Sequence, residues 1–173
     1  MHRIVILGCS GTGKSTLARK LGEKLDLPVV HLDSLFWEPG WVEAETGVFR
    51  ARLIEAISGG RWVTDGNYLT KTGDLRIGDA DLILWIDQPR WLRLFRIIRR
   101  TVTQLGRPRA DMAEGCPERL DGAFSEFLRW VWDFDRVTRP PIEAGLERAW
   151  PGKPVLHLKG DRAIAAWLET LSP

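Results

Sequence analysis

Eight residues near the start of the chain, Gly8-Cys9-Ser10-Gly11-Thr12-Gly13-Lys14-Ser15, constrain the fold more than anything else in the sequence. They follow a short apolar run, Arg3 to Leu7, and lead into a helix-forming stretch, Lys14 to Leu25. Glycine, four residues, then Gly-Lys-Ser between a strand and a helix is the P-loop pattern, which a chain of this length matches by chance on the order of 1% of the time. Phosphate chemistry explains each residue type. Glycines let backbone N–H groups turn inward, so that phosphates lie in a nest of donors at the positive end of the next helix. The candidate nucleotide-binding residues are Gly8, Ser10, Gly11, Thr12, Gly13, Lys14, Ser15 and Thr16. Lys14 would neutralise the β- and γ-phosphates, and Ser15 would offer its hydroxyl to a Mg²⁺ ion bridging them. ATP and Mg²⁺ are the expected cofactors, and Cys9 reads as a small filler within the loop.

Four further apolar runs of strand type follow: Pro28 to Leu32, Arg61 to Thr64, Asp81 to Ile86 and Pro154 to Leu158. Helical patterns alternate with them at Gly47 to Ser58, Trp91 to Leu105 and Ala123 to Val137, with a last one at Ala163 to Leu171 behind Asp161 as its N-cap. This alternation predicts a three-layer α/β fold, a five-stranded parallel sheet flanked by helices, with ligands held beyond the carboxyl ends of the strands. A length of 173 residues, 44% hydrophobic and 28% charged, suits one independently folding domain over 1–173. Ser34 to Thr46 and Gly106 to Glu118 interrupt the alternation. Both are expected to be mobile flaps over a site: an acceptor flap at about 34–60 and a lid at about 100–118.

Several classes drop out. Cys9 and Cys116 stand 107 positions apart without a Cys/His cluster, so neither a disulfide framework nor a zinc site is expected, and a reducing cytoplasm fits. No apolar run approaches the roughly 18 residues of a bilayer span, and Met1-His2-Arg3 leads into a strand rather than a secretory segment. A net charge of +2 does not point to nucleic acid. That charge is uneven, however: residues 88–110 carry seven arginines and no acid, a local cationic patch.

Phosphoryl transfer needs a carboxylate near the metal and often one near the attacking hydroxyl. Asp65, closing Trp62-Val63-Thr64, has the shape of a Walker B element and joins Ser15 as a candidate for the metal. Asp33, closing Val29-Val30-His31-Leu32, is a candidate general base or outer metal partner. Each acid has an alternative reading as a turn or cap residue. Asp87, upstream of Pro89, reads as structural, and His31 and His157 as hydrogen-bonded histidines of the core or its rim. Trp91, Leu94, Phe95, Ile98, Val102 and Leu105 form one apolar helix face with Arg93, Arg96, Arg99 and Arg100 around its edges. Arg96, Arg100, Arg107 and Arg109 are the lid arginines expected to face a triphosphate. Phe124, Phe127, Val131 and Phe134 repeat as a core stripe, with Trp130 and Trp132 as packing residues.

These residues together resemble a family. The P-loop, the strand ending His31-Leu32-Asp33, the flap Phe36-Trp37-x-Pro39-Gly40-Trp41, the element Trp62-Val63-x-Asp65-Gly66-Asn67-Tyr68, and Arg109-x-Asp111-Met112 look like the small adenylate-kinase-like P-loop proteins often labelled DNA topology modulation proteins. The resemblance covers nearly the whole chain. It implies a lid helix carrying Arg96 and Arg100, a lid-closing Arg109-x-Asp111, and Lys159-Gly160-Asp161-Arg162 beside the adenine. It also implies an acceptor pocket formed by Asp33, Trp37, Trp41, Asn67 and Tyr68. Asn67-Tyr68-Leu69 stands where adenylate kinases carry the phenylalanine, proline and arginine that bind an acceptor phosphate.

The expectation is an ATP/Mg²⁺-dependent phosphotransferase with a small-molecule acceptor, with Lys14, Asp33, Asp65, Arg96, Arg100 and Arg109 as its catalytic residues. The alternative is an ATP-switched P-loop regulator that binds DNA; any DNA contact is expected to be weak and non-specific. From Asp33 to Phe49 the flap holds Asp33, Glu38, Glu43 and Glu45 with Phe36, Trp37, Trp41 and Phe49, and no Lys or Arg. That set suits a neutral or cationic planar acceptor better than a phosphate dianion, unless Arg50, Arg52 or the lid arginines fold over it.

Overall fold

The computed structural model describes residues 1–107, 109 and 111–171. Lid positions 108 and 110 and the last two residues of the chain lie outside the described residues. Strand β1 (Arg3–Gly8) feeds the P-loop and helix α1 (Lys14–Leu25). Then come β2 (Val29–His31), α2 (Leu32–Phe36), the hairpin β3 (Trp37–Glu38) and β4 (Val42–Glu43), α3 (Thr46–Ile57), β5 (Trp62–Asp65) and α4 (Leu69–Arg76). The chain continues through β6 (Leu82–Asp87), α5 (Arg90–Thr103), α6 (Gly122–Val137), α7 (Arg139–Ala149), β7 (Val155–Lys159) and α8 (Gly160–Thr170).

The five long strands form one parallel sheet in the order β2-β5-β1-β6-β7. Alternate residues of β1 face opposite layers, as the two-residue period of a strand requires. Val5 and Leu7 pack with Trp62, Trp85, Ile97 of α5 and Val131 and Phe134 of α6. Ile4 and Ile6 pack with Leu17 and Leu21 of α1 and with Leu84, Ile86 and Leu158. Both faces are therefore covered, which is why the strands read as unbroken apolar runs. The fold is a three-layer P-loop NTPase-like α/β architecture. A third cluster of Val30, Leu32, Phe36, Ala44, Phe49 and Leu53 forms a small separate core beneath the acceptor flap.

Helix α5 departs from its sequence pattern. Its buried residues are Arg93, Ile97 and Thr101, while Trp91, Phe95, Ile98, Val102 and Leu105, with the last just beyond the helix, lie exposed. Burial of Arg93 is compensated by a bidentate pair with Asp135, at 3.0 and 2.5 Å, and Thr101 donates to Glu118 at 2.6 Å. Buried polar groups thus find partners inward, and the apolar edge is left in solvent.

One smaller expectation changes. Asp161 does not cap α8; Lys159 is the N-cap, and Asp161 lies in the first turn, where it accepts from Gln88. Asp87, read as structural, pairs with Arg139 at 2.9 Å. The two interrupting segments are bonded to each other. Gly40 N–H donates to Gly115 O at 2.8 Å, Trp41 Nε1 to Pro117 O at 2.9 Å, and the Cys116 thiol to Glu38 O at 3.1 Å.

Candidate active site

The P-loop lies where β1 meets α1 at the carboxyl edge of the sheet. Gly11 takes φ +77°, and a Cβ there would meet Arg93 O at 2.6 Å, so a side chain at this position would push the loop off the start of α5. Gly13 caps α1 at φ 97°. Lys14 Nζ and the Thr12 hydroxyl both donate to Cys9 O at 2.8 Å, fixing the loop from within. Burial pushes the Cys9 thiol up to about 11, so it is an unreactive filler.

One cavity of about 730 Å³ opens in front of this loop, within the range of small-molecule sites. Ser10, Gly11, Thr12, Gly13, Lys14, Ser15 and Thr16 line one side, and Arg96, Arg100 and Arg109 enter from the lid. Asp33, Asp111 and Asp161 complete the charged lining. A donor-rich loop facing three guanidinium groups fits a polyphosphate. Gly8, expected among the binding residues, ends β1 beneath the loop, where its N–H donates to Asn67 Oδ1 at 3.1 Å. Arg107 is exposed and outside the cavity lining.

Asp65 is buried at the end of β5 and bridges two groups. It accepts from the Ser15 hydroxyl at 2.8 Å through Oδ2 and contacts His31 Nδ1 at 2.5 Å through Oδ1. Burial works to lower the His31 pKa, but the bond to Asp65 and its charge prevail and raise it. Among the described residues no group of three or more His, Cys, Asp or Glu side chains is arranged to hold a metal ion. Ser15 and Asp65 fit a Mg²⁺ held chiefly by phosphate oxygens and water, with the carboxylate behind the hydroxyl.

Asp33 lies in the first turn of α2, and the Tyr68 hydroxyl donates to it at 2.7 Å. Burial raises the Asp33 pKa against the opposing effects of that bond and of Lys14. The Asp65-Gly66-Asn67-Tyr68 turn is held from below by Arg76, fully buried, which donates to Gly66 O at 3.0 Å and also to Asn67 O. Of the expected acceptor residues, only Asp33 lines the cavity. Trp37 and Trp41 pack on one another at 5.6 Å, and Tyr68 packs on Phe36 at 4.7 Å and Phe49 at 5.2 Å. These rings pack among themselves outside the cavity lining, and Tyr68 reaches Asp33 through its hydroxyl.

Two further acids join the site, Asp111, which the resemblance had marked as lid-closing, and Glu118, which the sequence reading had not placed there. Asp111 lies beside Arg109 at 3.6 Å, and although burial pushes its pKa up, Arg109 and the Ser15 hydroxyl bring it down. The Arg109-x-Asp111 spacing carried that signal. Glu118, also buried, places Oε1 3.1 Å from both Arg100 Nε and Arg109 Nε. Neither contact is an aligned hydrogen bond, so one buried carboxylate gathers two arginines by charge. Nothing local in the sequence marks Glu118. Arg96 pairs instead with Asp161 at 2.5 Å.

No protein-family model matches this chain, and no curated protein matches it. Among solved structures, the 1.70 Å crystal structure of a Chloroflexus aurantiacus J-10-fl protein, described provisionally as a kinase, superposes with a TM-score of 0.55 at 16% identity. The match covers 98% of this chain and 96% of that one. This chain shares the fold of that structure, a three-layer P-loop NTPase-like α/β architecture. At such low identity the likeness concerns the fold alone. No helix among the described residues is long and apolar enough to cross a membrane.

Proposed function

We propose that the chain is an ATP- and Mg²⁺-dependent phosphotransferase acting on a small acceptor that carries no phosphate. The observation that carries this reading is the single cavity in which the P-loop, three arginines and the half-buried Asp33 meet. Bound Mg²⁺ would supply charge compensation between the β- and γ-phosphates. Lys14 and the P-loop N–H groups hold the phosphates. Arg100 and Arg109 meet the charge that spreads over the equatorial oxygens, while Arg96 lies toward Asp161. Asp65 orients the Ser15 hydroxyl. Asp33 receives the proton of the attacking hydroxyl, with its position fixed by Tyr68 and its raised pKa giving it greater basicity than an ordinary aspartate.

The acceptor class follows from where the nearby cations are engaged. Arg50 is held by Asp74 and by Lys71 O, and Arg52 by Glu38 and Leu35 O. Lys71 lies over the Phe36 ring and 3.8 Å from Glu43. With these cations engaged, the acid-rich segment around Asp33 favours a neutral or cationic acceptor over a nucleoside monophosphate. The DNA-regulator reading draws little support, because four of the seven arginines at 88–110 are buried or face the cavity.

An ADP-release assay comparing AMP, CMP, GMP, UMP and dTMP with hydroxylated and amino-bearing small molecules tests the proposal. Turnover is expected only in the second set. AMP turnover at roughly 10 per second or more would overturn the acceptor assignment.

A further inference from the structure

The stripe that α5 turns to solvent serves no purpose in the cavity. Trp91, Phe95, Ile98, Val102 and Leu105 are 65, 57, 43, 59 and 53% exposed, although the outer face of a surface helix is ordinarily polar. Their spacing alternates four and three residues, the seam of a helix that packs along another helix. The stripe is graded, with aromatic rings at its N-terminal end, small aliphatic groups at its C-terminal end, and Ile98 midway. Turned end for end about Ile98, it sets Trp91 opposite Leu105 and Phe95 opposite Val102, large against small. The pattern complements itself.

We propose that this chain forms a two-fold dimer in which the α5 stripes of two copies pack antiparallel about Ile98. An isologous interface requires a self-complementary patch, whereas parallel alignment would pile Trp91 on its twin. Side chains of roughly 150–250 Å², each about half exposed, offer about 450 Å² per copy. Two copies with their flanks, including Trp132 beneath Arg90, reach the threshold of about 1,000 Å² for a specific interface. The dimer is therefore weak and concentration-dependent. Arg99 is exposed and borders Ile98 on the helix surface, so the two copies of Arg99 approach across the axis with no acid in residues 88–110 to separate them. Salt screens that repulsion and tightens the dimer, the opposite of its effect on an acidic partner or an anionic membrane.

Sedimentation equilibrium up to roughly 100 μM protein, a range suited to weak interfaces, tests this on the intact chain. A dimer is expected that tightens several-fold between roughly 0.05 and 0.5 M NaCl. Ile98→Lys should abolish it and Ile98→Leu should preserve it, with both variants retaining the wild-type circular dichroism spectrum. Under mild oxidation Ile98→Cys should cross-link to its twin. Trp91→Cys should not, since its twin would lie about 21 Å away; the native cysteines are both buried. A monomer throughout the range, a dimer indifferent to Ile98→Lys, or a dimer loosened by salt would each overturn the proposal. Binding of the monomer to phosphatidylserine vesicles would assign the stripe to a membrane instead.

Discussion

The P-loop side of the cavity is made of backbone, whereas the lid side is made of three long side chains drawn from residues 96–109 and held by carboxylates at 111, 118 and 161. The first is fixed by chain connectivity and by glycines whose φ values leave the loop little choice. The second depends on arginines that lose side-chain entropy when ordered and keep their places only through ion pairs. A fixed cradle suits ground-state binding. A cationic wall that can readjust suits the charge that develops during transfer. Changes on the loop side should therefore register in affinity, and changes on the lid side in turnover.

The largest expected effect is on the loop side. Lys14→Ala should weaken ATP about 100-fold, or about 2.7 kcal/mol, by calorimetry, and ADP by less, since in the proposed function Lys14 would meet the terminal phosphates. Equal ATP affinity in a folded variant would remove the P-loop from the site. Next come the carboxylates between the two sides. Asp65→Asn and Asp33→Asn should lower turnover about 100-fold while ATP affinity stays within a few-fold. As pH is lowered, wild-type turnover should drop while still above the usual aspartate value of about 3.9, because burial raises Asp33, and Asp33→Asn should lose that acid limb. Full turnover in Asp33→Asn would make Asp33 structural.

On the lid side, Glu118→Gln should lower kcat about tenfold with little change in ATP affinity, and lower Tm by about 2–4 °C for each kcal/mol lost with the buried charge partner. A weakened ATP affinity with unchanged kcat would erase the contrast between the two sides. The smallest effect concerns His31. Its pKa is raised in the folded protein, so its pair with Asp65 contributes fully below about 6.5 and is lost as pH rises through the folded value. Thermal melts should show stability lost over that rise, and His31→Gln should abolish the dependence.

The same contrast governs what the sequence makes legible. The five sheet strands stand out because both faces are buried, and the P-loop because its residues are consecutive. Helix α7 is hidden by Pro140 and Pro141, which read as breakers but occupy the first turn, where proline is tolerated. Helix α4 is hidden by Gly73, whose missing side chain admits the Trp150 ring; a Cβ there would lie 2.8 Å from it. Helix α5 misleads for the opposite reason, since hydrophobicity alone places Arg93 outside when Asp135, 42 residues away, draws it in. Glu118 is silent in sequence because its meaning comes from Arg100, 18 positions earlier, and Arg109, nine earlier.

The bonds joining the Trp37–Glu43 hairpin to the segment around Gly115–Pro117 have a kinetic consequence. Any opening of either segment would have to break these three bonds or carry the other segment with it, so hydrogen exchange at the Gly40 amide is expected to report on both at once.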